Sequence, residues 1–450
     1  MFNIQDTVEN VIKVNYLFST VEQSKLTETI HQRFKYFVEN TKSFIVENYI
    51  ENEWRDSLDL YYSKTLYNCA NTVKRIHFIN KKITKVDDVS PDDYIGYITI
   101  RPLPIPENAI SRIRFKCTKH AFEECDENKI FCLAMKTKVN LPHISISYDS
   151  FPIYAQDSMV AICAHADLLM ISKFMYKKFN FNNYKLKDII INNAIASKGR
   201  KIPSEGLTVS EMVEILKGNN YNPIITYYSH GKHNNISITE HIDSFLESGL
   251  PVIIAFECHV IIVIGHMHNE KKHYVIADDS TYHLSKTFKQ REAHVGIVSE
   301  EELLSRFSNL QTVFTIAPTL DRFYLHYPYL KLMVQNYYKN KIQETYEKTG
   351  FTVNIITREI LVESSKLKQF LYNCGDSSYT SIIMPHYVWY VEFYLNTKKE
   401  ENLSHYMIFD ASSHKYDRVY SIIKDEASNG IHFVSDKMSN KKQLSLLKEI

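Results

Sequence analysis

"GLPVIIAFECHVIIVIGHMHNEKKHYVIADDS", residues 249–280, decides the fold. "PVIIAF" predicts a fully buried strand from its β-branched content. "HVIIVIG" and "HYVIA" predict an antiparallel pair joined by "HMHNEKK". This reading puts His259 at the start of one strand and Asp278 at the end of the next, with Asp279 competing for the same place. The most apolar run, "LPVIIAFECHVIIVIG", is interrupted by Glu257 and His259 and is too short to span a bilayer.

A histidine followed by an acid asks for a nucleophile, and the chain supplies one upstream. In "QDSMVAICAHADLLM", residues 156–170, Cys163 opens an apolar stretch that predicts a helix running to about residue 178. A thiolate is the nucleophilic form of cysteine, and a helix amino terminus together with a histidinium favours it. His259 would take the thiol proton and return it to a leaving group. Asp278 would fix the tautomer and orientation of the imidazole. The side-chain amide of Gln156 would donate to a developing oxyanion beside the Cys163 backbone N–H.

Neighbouring residues read more plainly. Cys258 adjoins His259, but successive residues on a strand point to opposite faces, so it is expected in core packing. His165 lies two positions past Cys163 on a helix and is expected to face elsewhere, as a structural or solvated residue. Cys117, His120, Cys125 and Cys132 are spaced by two, four and six residues, which matches no paired zinc module, and no metal is expected. His266, His268 and His273 are expected in a solvated turn. Lys198, Gly199, Arg200 and Lys201 belong to a polar loop between helices, a place that also suits a substrate-facing flap.

Further out, residues 1 to about 80 read mainly as helix, with Ile30, Phe34, Phe37 and Val38 forming one stripe. "YIGYITIRPLPIP" (94–106) is a strand closed by prolines. "KIFCLAMK" and "HISISY" are short β-like runs. Thr208 with Glu211, and Ser237 with Glu240, each predict a capping box at a helix start. Beyond residue 320 the text is mixed. "YPYLKLMVQNYYKNKIQETYEKTG" predicts a helix, and "HYVWYVEFYLN" and "HYMIFDAS" predict strands.

At 450 residues two or three domains are expected. Lys+Arg 53 against Asp+Glu 52 leaves a net charge of +1, which gives no field to collect nucleic acid or an anionic membrane. The seven cysteines are odd in number and scattered, unlike a secreted disulfide framework. "MFNIQDTVENVIKVNYLF" has no basic start before an apolar run, so no signal peptide is expected and a reducing cytoplasm is the default.

The segments "QDSMVAICAHADLLM", "GLTVSEMVEILKGNNYNP" and "GLPVIIAFECHVIIVIGHMHNEKKHYVIADDS" together resemble a papain-like cysteine peptidase core. They are most similar to the bacterial branch that includes bacteriocin leader peptidases. The resemblance covers roughly residues 150–285 and departs from the branch at Cys163-Ala164-His165, where Cys-Gly is usual. It implies Gln156 as oxyanion donor, Cys163 as nucleophile, His259 as base and Asp278 as orienting acid.

The expected fold is therefore α+β. A papain-like domain at 149–320 would lie between a helical then β-rich region (1–148) and a mixed carboxy-terminal region (321–450). The expected function is thiol-dependent hydrolysis of a peptide or isopeptide bond in a protein substrate, without cofactor, nucleic acid or membrane. The alternatives are a catalytically silent binding module of the same shape, or a bacterial immunity or toxin effector acting as deamidase or acyltransferase. Substrate, trigger and oligomeric state are not encoded in any pattern found.

Overall fold

The computed structural model describes residues 2–13, 20–66, 69–103, 105–116, 130–191, 202–233, 236–268, 271–278, 290–320, 323–335, 343–344, 347–348, 354–374, 377, 379–397, 400–412, 420–425 and 430–435. The chain forms two compact units, residues 1–230 with 251–318, and residues 231–250 with 319–450. The boundary expected at 148/149 lies inside the first unit. The one expected at 320/321 lies two residues past its end. Every described strand pair is antiparallel, and no helix among the described residues is long and apolar enough to cross a membrane.

The decisive stretch folds as read. Val252–Phe256 is buried at every residue and pairs with His259–His268, which pairs in turn with Lys272–Ala277. The full sheet runs Ile224–Tyr228, Val313–Ala317, Val252–Phe256, His259–His268, Lys272–Ala277, Val295–Ser299, Gln290–Glu292. Ile130–Cys132 joins it beside His259–His268, opposite Gly265–Met267. Gly265 is the residue that permits this. A Cβ there would lie 2.2 Å from the Phe131 carbonyl oxygen, so any side chain would push the added strand away. The helix Cys163–Phe179 packs against His259–His268 and ends at Asn180, whose φ of 59° is the left-handed stop.

The same unit holds a six-stranded sheet in the order Phe2–Gln5, Ser43–Tyr49, Val73–Ile79, Tyr94–Ile100, Ile110–Phe115, Ile153–Tyr154. The expectation of a mainly helical start is corrected here. Helices Thr20–Arg33 and Asn52–Leu60 alternate with strands Ser43–Tyr49 and Val73–Ile79. Both strands bury consecutive residues, so they lack the in-out alternation that separates a strand from a short buried helix. A hairpin, Met135–Asn140 with Ser145–Ser150, adds Val139, Ile146 and Tyr148 to the core formed by Ile45, Ile79 and Tyr94.

The second unit carries a five-stranded meander, Asn354–Glu363, Tyr387–Thr397, Glu400–Asp410, Tyr420–Asp425 and Gly430–Ser435. Its helices include Ile238–Glu247, Tyr327–Met333 and Ser364–Asn373. The capping box expected at Ser237 is only half built. Ser237 Oγ accepts from the Thr239 N–H, while Glu240 reaches Lys331 at 3.6 Å. Lys331 also meets Glu359 at 3.0 Å, and this nearly buried cation gains more from two carboxylates than Glu240 gains from one backbone amide.

Candidate active site

The helix Cys163–Phe179 begins on a segment whose shape is set from below. Strand Ile153–Tyr154 lies along Ile110–Phe115, and the Ala155 N–H continues the ladder to the Ser111 carbonyl at 2.8 Å. The chain then folds over Asp157. Asp157 Oδ1 accepts from the N–H groups of Met159, Val160 and Ala161 at 2.9, 2.7 and 3.0 Å, and its own N–H bonds the Ala161 carbonyl at 2.8 Å. Ser158 takes a φ of 67° to close this loop. Gln156 enters the loop and Cys163 leaves it as the first helical residue, half-buried. Ile162, at the N-cap position, contributes no side-chain hydrogen bond.

Strands Val252–Phe256 and His259–His268 are joined by Glu257 and Cys258, with Glu257 at a φ of 50°. His259, the first residue after this turn, is 6% exposed and meets the edge of the Phe256 ring at 6.0 Å. Asp278 follows strand Lys272–Ala277 and is buried. Its backbone is held by a pair of contacts with His294, the Asp278 N–H to the His294 carbonyl at 3.0 Å and His294 Nδ1 to the Asp278 carbonyl at 3.0 Å. Asp278 Oδ1 stands 3.3 Å from His259 Nε2. The rival carboxylate, Asp279, lies outside the described residues, as do Cys117, His120, Cys125 and the loop Lys198–Lys201.

A cavity of about 760 Å³ opens over these elements, and Gln156, Cys163 and His259 all line it. Its wall beyond Cys163 is mostly apolar, with Ile162, Ile190 and Met212. The capping box expected at Thr208 is built: Glu211 N–H to Thr208 Oγ1 at 3.2 Å, and Thr208 N–H to Glu211 Oε2 at 2.7 Å. Thr208 and Glu211 both lie in the same wall.

Three neighbours differ from expectation. Cys258 is exposed in the hairpin turn and lines the cavity; it is not a core residue of a strand. The apolar residues on both sides of it hide a turn that contains neither glycine nor asparagine. His165 is buried and lines the cavity with Cys163 instead of facing elsewhere. Burial holds its imidazole down to about 4, against the opposing pull of Glu211. His266 is buried within strand His259–His268, 5.3 Å from the Phe131 ring, because the pairing of Ile130–Cys132 covers what reads as a solvated hairpin end.

Two residues that the sequence reading did not single out hold the segment before Cys163. Arg101 and Asp157 are both fully buried and stand 3.8 Å apart. The one hint was an arginine closing the apolar run "YIGYITIR".

No family model matches the chain. No curated protein matches it. Among solved structures, it is similar to the one titled "Crystal structure of UfSP from C.elegans", with 12% identity over 35% of this chain and a TM-score of 0.23. The match spans 29% of that structure's length, and a likeness of this degree carries no argument about fold or chemistry.

Proposed function

We propose that the chain is a papain-like thiol hydrolase that cleaves peptide or isopeptide bonds through an acyl-thioester on Cys163. One observation carries the reading. Cys163, His259 and Gln156 line a single cavity, and a buried carboxylate stands 3.3 Å from the histidine. With Asp278 on Nε2, proton exchange with the thiol falls to Nδ1 of His259.

In this reading the Cys163 thiolate attacks the carbonyl carbon. The oxygen becomes an oxyanion, bound by the Gln156 amide and the Cys163 backbone N–H. His259 gives its proton to the amine, the C–N bond breaks, and a thioester remains. Water then loses a proton to His259 and attacks the thioester, releasing the acid and restoring the thiol. Deamidation passes through the same thioester with ammonia as the leaving group and water as acceptor, and transfer replaces that water by an amine.

The test is the intact mass of the protein after treatment with a peptidyl acyloxymethyl ketone. Wild type should gain one probe mass, mapped to Cys163, and Cys163→Ala should gain none. A wild-type protein that stays unlabelled, or is labelled only at other cysteines, would leave a papain-shaped binding module as the better reading.

A further inference from the structure

The segment that joins Gln156 to Cys163 is held by an ion pair with an unusual distribution of partners. Arg101 follows strand Tyr94–Ile100, and its guanidinium is fully buried. Its Nη2 donates to three carbonyl oxygens, Ile110 at 2.5 Å, Ala155 at 2.9 Å and Gln156 at 3.0 Å. Its Nη1 faces Asp157 Oδ2 at 3.8 Å, and that oxygen also accepts from Ser57 Oγ at 3.1 Å. Asp157 Oδ1 gathers the three N–H groups of residues 159–161. Two of the three carbonyls, and all three amides, belong to the chain that runs from residue 155 to residue 161. The same loop also ties down the cavity wall, through the Ser204 N–H to the Met159 carbonyl at 2.8 Å.

A desolvated guanidinium and carboxylate are expensive to bury, and apolar packing of the same volume serves stability as well. What apolar packing does not supply is direction. Hydrogen bonds from fixed donors set the positions of individual backbone atoms, here those next to Gln156 and just before Cys163. We propose that Arg101 and Asp157 are positioning residues for acyl transfer. They hold the Gln156 amide and the Cys163 N–H at the separation that one oxyanion requires. The proposal rests on the thiol-hydrolase reading above, and it makes the six-stranded sheet part of the reaction machinery.

The test separates two reactions of one thiol. Acylation by p-nitrophenyl acetate passes through an oxyanion. The Cys163 sulfur bonds the acetyl carbon, the C–O bond to the aryl group breaks, and p-nitrophenolate leaves with the electron pair. Alkylation by iodoacetamide displaces iodide at a saturated carbon and forms no oxyanion. The variants are Asp157→Asn, Arg101→Lys and Ser57→Ala, each checked for folding by circular dichroism.

Misplacing a reacting or stabilising group by about 1 Å costs about 10²-fold. Asp157→Asn and Arg101→Lys should lower the acylation rate constant of Cys163 by that order while alkylation stays within about twofold. Ser57→Ala should lower acylation less and also spare alkylation. Should the first two variants fail to fold, Ser57→Ala decides by the same criterion. Equal loss of both reactions in a folded variant would make the pair a fold-holding contact and overturn the proposal, and so would unchanged acylation. Wild type that is never acylated on Cys163 would remove the thiol-hydrolase reading first, and the proposal with it.

Discussion

Asp278 reaches His259 only because two different devices converge. His259 is brought there by a two-residue turn, and Asp278 by backbone contacts with His294. Neither depends on the other's side chain, so Asp278→Asn should leave both positions intact and remove the ionisable group alone. A carboxylate on Nε2 fixes the tautomer and ring orientation that present Nδ1 to the thiol, and an amide in its place can hold the other tautomer. At pH 6.5 iodoacetamide should therefore alkylate Cys163 about tenfold more slowly in Asp278→Asn than in wild type. Cys258, exposed in the turn, serves as the internal control and should react equally in both proteins. Peptide mapping gives both rates. Parallel changes at the two cysteines would show that the carboxylate acts on the whole hairpin and has no particular hold on His259. At this scale the sequence was legible in placement: Cys163 opens a helix, His259 opens a strand and Asp278 follows the next strand, as the patterns around them predict. It was silent on Arg101 and Asp157, because the partners of Arg101 are mostly backbone carbonyls and backbone atoms carry no residue identity.

Among the elements, the helix Val209–Gly218 shows how a local pattern can be read and then used. Thr208 and Glu211 satisfy each other's backbone amides, and Glu211 is buried while it does so. Thr208→Ala should destabilise the protein by about 1 kcal/mol, the usual worth of such a cap. Urea titration is the measurement, and the midpoint should fall at unchanged slope. Iodoacetamide alkylation of Cys163 should be unaffected, since the cap holds the cavity wall and not the thiol. A changed slope would mean that the helix had already come apart in the native state. Patterns that depend on tertiary pairing were harder to read. Ser43–Tyr49 and Val73–Ile79 bury both faces, so their apolar runs gave no period of two. The box at Ser237 matched the same four-residue signature as that at Thr208, yet Lys331, nearly a hundred positions away in the chain, claims its glutamate.

Across the whole molecule each compact unit carries at least one neutral histidine in its core, and each carries one of the chain's two tryptophans. In the first unit burial lowers both His77 and His165 from 6.5 to about 4. In the second, His241, stacked on Tyr327, is lowered to about 3. Between the folded and unfolded values the folded state binds fewer protons than the unfolded one. Stability is therefore complete above pH 6.5 and is lost as pH falls through the window down to about 4, or about 3 for His241. His77 and His165 each contribute up to about 3 kcal/mol of that loss, and His241 up to about 5 kcal/mol. Glu51 and Asp56, raised by burial, work the other way above pH 4.5 and pH 3.8, but they are two groups against three histidines and the lowered carboxyls of Glu47 and Glu53. Trp54 and Trp389 are fully buried, with indole N–H bonds to the Ala70 and Leu325 carbonyls at 2.8 and 2.9 Å. With Trp389→Phe, fluorescence follows the first unit alone, and with Trp54→Phe the second. His165 Nδ1 has no hydrogen-bond partner among the described residues, so His165→Leu forfeits no bond at that atom and should be neutral or stabilising at pH 7.5. In urea titrations at pH 7.5, 5.5 and 4.5, His165→Leu should flatten the acid loss reported by Trp54 and leave that reported by Trp389 unchanged. An unaltered Trp54 slope would mean that His165 takes up its proton in the folded state as readily as in the unfolded one.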